Sequence, residues 1–226
     1  VLVDQKKYKE AEKWLLESLR MGTEQKNNRQ LYLSNLIYGR LQSNRQNYAL
    51  AEKHFKTADS LLALGGEKTV TIQLLEAWGR MLVNNHQTDR AEKKLTECII
   101  LSDQIQYRNY AWKAYGTLAE IELSKNNTAK GINYLKTAIQ EVEKIKSKIT
   151  DSEAKKIFSS DESIVELYQK MVVQLKKAGK IEEALVYMEK ANAENIRIRL
   201  NSGNVTYDDT ATNDAIAKER ELRKQQ

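Results

Sequence analysis

Apolar and polar positions recur along this chain with one spacing. Ala11, Leu15 and Ser18 fall at i, i+4 and i+7, as do Ala51, Phe55 and Ala58, then Ala91, Leu95 and Cys98, then Gly131, Leu135 and Ala138. That interval places each triplet on one face of an α-helix. The small residues at 11, 51, 91 and 131 are 40 positions apart, and a displaced copy follows at Ala184, Met188 and Ala191. Upstream of each middle triplet lies a second helical stretch. It carries Leu36, Tyr38 and Gly39, then Leu75, Trp78 and Gly79, then Tyr115, Leu118 and Ala119. Residues 39, 79 and 119 keep the same 40-residue spacing and mark a close helix crossing. Polar turns such as 44–47 and 84–87 join the two stretches. The pattern predicts helices over about 6–21, 28–44, 48–63, 68–85, 88–105, 107–125, 128–148 and 181–199. A long helix capped by Asp151 or Asp161 runs to Ala178 and is stopped by Gly179.

One such hairpin cannot bury its apolar face alone, so consecutive hairpins stack into a solenoid. Composition agrees. Among 226 residues there is no proline and only 9 glycines, as expected of a chain that is nearly all helix. At 41% hydrophobic and 30% charged, it has the apolar content of a folded chain rather than a disordered one. The longest apolar run, Ala184 to Met188, is far too short to cross a membrane. No secretion signal stands at the N-terminus, and a single cysteine is compatible with a reducing compartment, so a cytoplasmic location is expected.

The pattern of Gly39, Tyr48, Ala51, Phe55 and Ala58 resembles the tetratricopeptide repeat (TPR), in its 40-residue form. The similarity covers residues 1–148 and again 162–199, with the first hairpin cut short before Val1. The chain departs from the family in lacking the proline that often closes a repeat, and in having Asn35 at a common aromatic position. The resemblance implies an all-α, right-handed superhelical solenoid of TPR-like helical hairpins over residues 1–200, its last hairpin (150–199) having an extended first helix. Residues 201–226 are expected to form a loop and a short charged helix leading to a downstream domain.

The order Ile145-Lys146-Ser147-Lys148-Ile149, Asp151-Ser152-Glu153, Phe158, Tyr168, Glu189-Lys190-Ala191-Asn192-Ala193 and Glu219-Arg220-Glu221-Leu222-Arg223 is similar to the region joining TPR arrays to the caspase-like CHAT peptidase domain of bacterial and some eukaryotic proteins. Asn192 and Glu194 stand where that family usually has basic residues. This second resemblance implies a non-catalytic regulatory half. CHAT chemistry needs a His–Cys pair, and nothing here supplies it. Cys98 occupies a small-residue core position, which reads as a buried structural thiol. His54 reads as lying opposite the core and His86 in a polar turn, with no metal-ligand spacing. No enzymatic activity, cofactor or metal is expected.

Other motifs fail on context. Gly65-Gly66-Glu67-Lys68-Thr69 lacks phosphate-loop spacing and reads as a helix C-cap. Asn126-Asn127-Thr128 and Asn204-Val205-Thr206 match the glycosylation sequon but read as loop residues. Net charge is 37 − 31 = +6, yet basic residues alternate with acidic ones and most tyrosines, Tyr8, Tyr48 and Tyr168 among them, recur at core spacing. Nucleic acid and membranes are therefore not expected partners.

A solenoid offers a long surface for binding another polypeptide. In TPR arrays the first helix of each hairpin lines it. That geometry makes Arg40 and Asn44 groove residues, with Leu33 and Leu36; then Gln73, Arg80 and Asn84, with Glu76; then Lys113, with Gly116 and Glu120. The repeated Arg/Asn pair suits carboxylates and an extended peptide backbone, which points to a protein or peptide ligand, acidic in character. The plainer alternative is a row of ordinary solvated polar residues. Two roles follow: an interaction scaffold, or the sensor arm of a downstream domain (a CHAT protease, a sensor kinase or a transcription regulator) that could itself occupy the groove.

Overall fold

The computed structural model describes residues 5–201. Every regular element among them is an α-helix: α1 (Gln5–Glu24), α2 (Asn28–Asn44), α3 (Tyr48–Leu62), α4 (Lys68–Asn84), α5 (Thr88–Gln104), α6 (Ala111–Ser124), α7 (Thr128–Lys148), α8 (Ser152–Ser159), α9 (Glu162–Lys177) and α10 (Ile181–Asn201). The chain divides into two compact units between Lys148 and Ile149. The expected C-terminal loop and helix, and the sequon at Asn204, lie outside the described residues.

In the first unit α2 pairs with α3, α4 with α5 and α6 with α7, while α1 packs on α2. The small residues set how closely the partners approach. Ala51, Ala58, Ala91, Cys98 and Ala138 are fully buried. A Cβ on Gly39 would stand 2.5 Å from the Phe55 ring, and one on Gly79 would stand 2.7 Å from the Leu95 side chain. Phe55, the large residue of its triplet, also fills the space towards the next hairpin. Phe55 is fully buried, its ring 6.1 Å from that of Trp78 on α4. Burying such a side chain stabilises by about 1.5–3 kcal/mol. In α1 the counterparts Ala11, Leu15 and Ser18 are only half-buried.

The hairpin turns share one geometry. Gln46 accepts the left-handed conformation (φ 62°), as do His86 (φ 56°) and Asn126 (φ 62°), again 40 residues apart. In each, the next amide returns to a carbonyl five residues back: Asn47 N–H to Gln42, Gln87 to Leu82 and Asn127 to Glu122, at 2.9, 2.8 and 2.8 Å. This closure satisfies carbonyls left open at the helix end. Lys26 and Gln106 repeat it between hairpins. Gly65, at φ 106°, takes the comparable place after α3, as its C-cap reading required.

The second unit is built on the α9–α10 hairpin, with α8 against α10. Ile164, Leu167, Tyr168, Met171 and Leu175 of α9 are buried, and so are Ala184 and Ala191 of α10. Gly179 (φ 73°) forms the turn, where Lys180 N–H donates to Leu175 O. The segment read as one extended helix is two. Asp151 accepts from Ala154 N–H at 2.6 Å and Asp161 from Ser163 N–H at 3.1 Å, so both aspartates open a helix and the chain breaks between them.

Candidate functional site

The first helices of the hairpins form one wall. α4 packs against both α2 and α6, whereas α3, α5 and α7 do not pack on one another to the same extent. The first unit therefore curves with α2, α4 and α6 on the inside. Arg40 of α2 reaches across α4 to the ring of Tyr110, at the entrance of α6, with its guanidinium carbon 5.9 Å from the ring centre.

At the centre of this wall lies the carboxylate of Glu76, which is 4% exposed. It did not fit the expectation of a groove-lining residue; it is an internal anion holding two cations. Arg80, one helical turn on, donates through Nε at 3.0 Å and Nη2 at 2.8 Å to Oε1. Arg40 approaches Oε2 at 3.7 Å and donates to the Gln73 main-chain carbonyl at 3.4 Å. Arg40, Gln73 and Arg80 thus meet around Glu76. Both guanidiniums keep more than a third of their surface in water, so both can be reached from the groove. Burial pushes the Tyr110 hydroxyl up, against the opposing pull of Arg40. Tyr110 thus sets a neutral hydroxyl beside the Arg40 cation, a neighbour that the spacing did not reveal.

Asn44 and Asn84 stand apart from this cluster. Both are exposed and line a recess of about 680 Å³ with Tyr8, Ser43, Gln46, Tyr48, Val83 and His86. Tyr8 and Tyr48 are accordingly half-buried rather than core residues, whereas Tyr168 is buried. Lys113 lies further along α6, its ammonium 5.1 Å from the Trp112 ring. Leu36, at 2% exposure, belongs to the core and not to the groove.

Outside the wall, a ladder of ions ties hairpin to hairpin. Glu12 binds Arg45 at 2.7 Å, and Glu92 pairs with Lys125, each 33 residues on. Position 85 is an asparagine, and Glu52 pairs instead with Arg90 at 2.7 Å. The Tyr38 hydroxyl and Arg45 together hold the Glu12 carboxyl below its usual range. His54 corrects its sequence reading. It packs edge-on to Tyr38 at 4.4 Å, and its Nδ1 lies 2.8 Å from Oδ1 of buried Asn35. The helix crossing covers a position that a single-helix projection leaves outside. Burial, with Lys53 adding to it, pulls the imidazole below its ordinary value. Cys98 is fully buried, its thiol donating to Ile72 O at 3.5 Å and pushed up to about 12 by burial and by Glu76. Among the described residues no group of three His, Cys, Asp or Glu is arranged to hold a metal, and no helix is long and apolar enough to cross a membrane.

No family model matches this chain, and no curated protein does. Solved structures do. The chain is similar to BtubC (BKLC) from P. vanneervenii with a TM-score of 0.65 at 13% identity, over 85% of this chain and 74% of that one. It also aligns with a putative kinesin light chain of nearly identical TPR-like repeats from Podospora anserina, at 10% identity and a TM-score of 0.44, over 77% of this chain and 96% of that one. The fold is a TPR-like helical solenoid.

Proposed function

We propose that the chain is a non-catalytic protein-interaction scaffold that holds an acidic peptide or partner segment along the wall of α2, α4 and α6. The observation that carries this reading is the Arg40–Glu76–Arg80 cluster. Two guanidiniums are ordered around one buried carboxylate, so the cations are pre-positioned while part of each stays in water. A ligand carboxylate meets donors already held in place, which lowers the ordering cost of binding. Tyr110 and Lys113 extend the same chemistry along α6, and the recess at Asn44 and Asn84 supplies amide donors and acceptors for main-chain groups.

A poly-glutamate peptide and its poly-glutamine counterpart test the proposal by calorimetric titration. The acidic peptide is expected to bind, more weakly as salt rises, and Arg40→Gln is expected to weaken it in a variant that circular dichroism shows to be still folded, at some cost in melting temperature because Glu76 loses a cation. Equal binding of both peptides, or no effect of Arg40→Gln, would remove the groove assignment. Arg80→Glu is unsuitable here, because it sets a second anion against Glu76.

A second reading, the sensor arm of a downstream CHAT protease, draws support from one feature. The boundary between the two compact units falls at Lys148 and Ile149, within the run where the resemblance to the CHAT-proximal region begins. The coding sequence after Gln226 tests it: a domain carrying a His–Cys pair is the expected continuation, and a kinase or a DNA-binding domain is the contrary result.

A further inference from the structure

The recess beside the wall is lined in pairs. Tyr8 and Tyr48, Asn44 and Asn84, and Gln46 and His86 each stand 40 residues apart, so the ends of two consecutive hairpins meet in it. Every lining side chain except Val83 carries a hydrogen-bonding group, and none of the lining residues is Asp, Glu, Lys or Arg. None of these polar side chains has a hydrogen-bond partner among the described residues. The arginines of the wall differ: Arg80 is bonded to Glu76, and Arg40 to the Gln73 carbonyl. The recess is thus uncharged apart from one imidazole, and its donors and acceptors are uncommitted within the fold.

The two regions adjoin. Asn44 follows Arg40, and Asn84 follows Arg80, by four residues, one helical turn or about 6 Å along the axis. An extended peptide sends alternate side chains to opposite sides. One running from α2 to α4 between the two rows directs one set to the arginines and the other into the recess. The lining decides what that second set can be. An apolar side chain covers the polar groups and returns no hydrogen bond, and an ion is desolvated there without a counter-charge. A carboxamide both donates and accepts, as Asn44, Gln46 and Asn84 do, and can pair with such a group through two hydrogen bonds. We infer that the recess is a specificity pocket for an Asn or Gln side chain of the ligand, beside the carboxylate taken by Arg40 and Arg80. The inference rests on the acidic-ligand reading above and adds a second requirement to it.

Two peptides of equal length and equal charge, alternating Glu-Asn and alternating Glu-Ala, test this by calorimetric titration into the full chain. Glu-Asn is expected to bind about tenfold more tightly, as a pair of amide hydrogen bonds gives. The same ratio is then measured on the variant carrying Asn44→Ala and Asn84→Ala, both at exposed positions without internal partners. It should fall towards one, with helix content by circular dichroism unchanged. Equal affinity of the two peptides for the unaltered chain overturns the inference and leaves the acidic-ligand reading standing. So does a variant that weakens both peptides alike, because the recess then holds main chain and not a side chain. Binding of neither peptide overturns both.

Discussion

Gly131 lies directly against Ala119: a Cβ built on Gly131 would stand 3.4 Å from the Ala119 carbonyl oxygen and 2.6 Å from the Leu123 side chain. One hairpin earlier the arrangement is reversed, with Gly79 on the first helix and Ala91 on the second. Each crossing accommodates one methyl group, and which helix supplies it is interchangeable. Gly79→Ala alone should therefore destabilise by about 1–2 kcal/mol, the overpacking outweighing the gain in helix propensity. Ala91→Gly alone should cost about 1 kcal/mol. Urea denaturation of the double variant should show less than the sum of the two, because it recreates the crossing of the third hairpin.

The hairpin turns leave stability unused. Gln46 and His86 hold left-handed backbone at the position where helices most often end on glycine. Gln46→Gly and His86→Gly should each raise stability by about 1 kcal/mol. Asn126→Gly should gain less, since asparagine tolerates that conformation. Three thermal melts compare them.

His54 makes stability depend on pH near neutrality. Its folded pKa lies below the ordinary value of about 6.5, so between the two the unfolded chain binds more protons than the folded one. The contribution of the neutral ring is complete above about pH 6.5 and is lost as pH falls towards the folded pKa. Melting temperature should drop between pH 7 and 5.5, and His54→Gln, which preserves a partner for Asn35, should flatten that part of the curve.

Cys98 should be inert. A thiol held protonated to about 12 carries almost no thiolate at pH 8. A disulfide reagent should label it only under denaturing conditions, and Cys98→Ala, which copies Ala58 and Ala138, should cost about 1 kcal/mol. Rapid labelling of the native chain would contradict the burial.

The spacing of residues 11, 51, 91 and 131 made the hairpins legible, because in a stacked array equivalent residues meet equivalent neighbours. The same logic placed Cys98 correctly. It failed where contacts join unlike residues of different helices. Nothing local links Arg40 to Glu76, 36 positions on, and a helix projection cannot show that Asn35 draws His54 under the crossing. Asp151 and Asp161 were equally good caps, and only the packed chain shows that both are used. Arg40 and Arg80 were legible as a pair by register; that one buried anion organises both was not.

Glu76 separates stability from binding. It is buried, and its oxygens are shared by two cations that remain partly hydrated. Removing its charge leaves those cations to repel each other but still able to turn to water, so Glu76→Gln should destabilise by about 2 kcal/mol, below the range for a fully buried pair. The same change takes an internal competitor away from Arg40 and Arg80, and makes the cluster more positive by one charge. Affinity for poly-glutamate should therefore rise as the melting temperature falls. If the wall binds acidic ligands through these arginines, the two quantities move in opposite directions. A fall in both would show that Glu76 positions the arginines more than it neutralises them, and unchanged affinity would leave the cluster a purely structural feature of the α2–α4 contact.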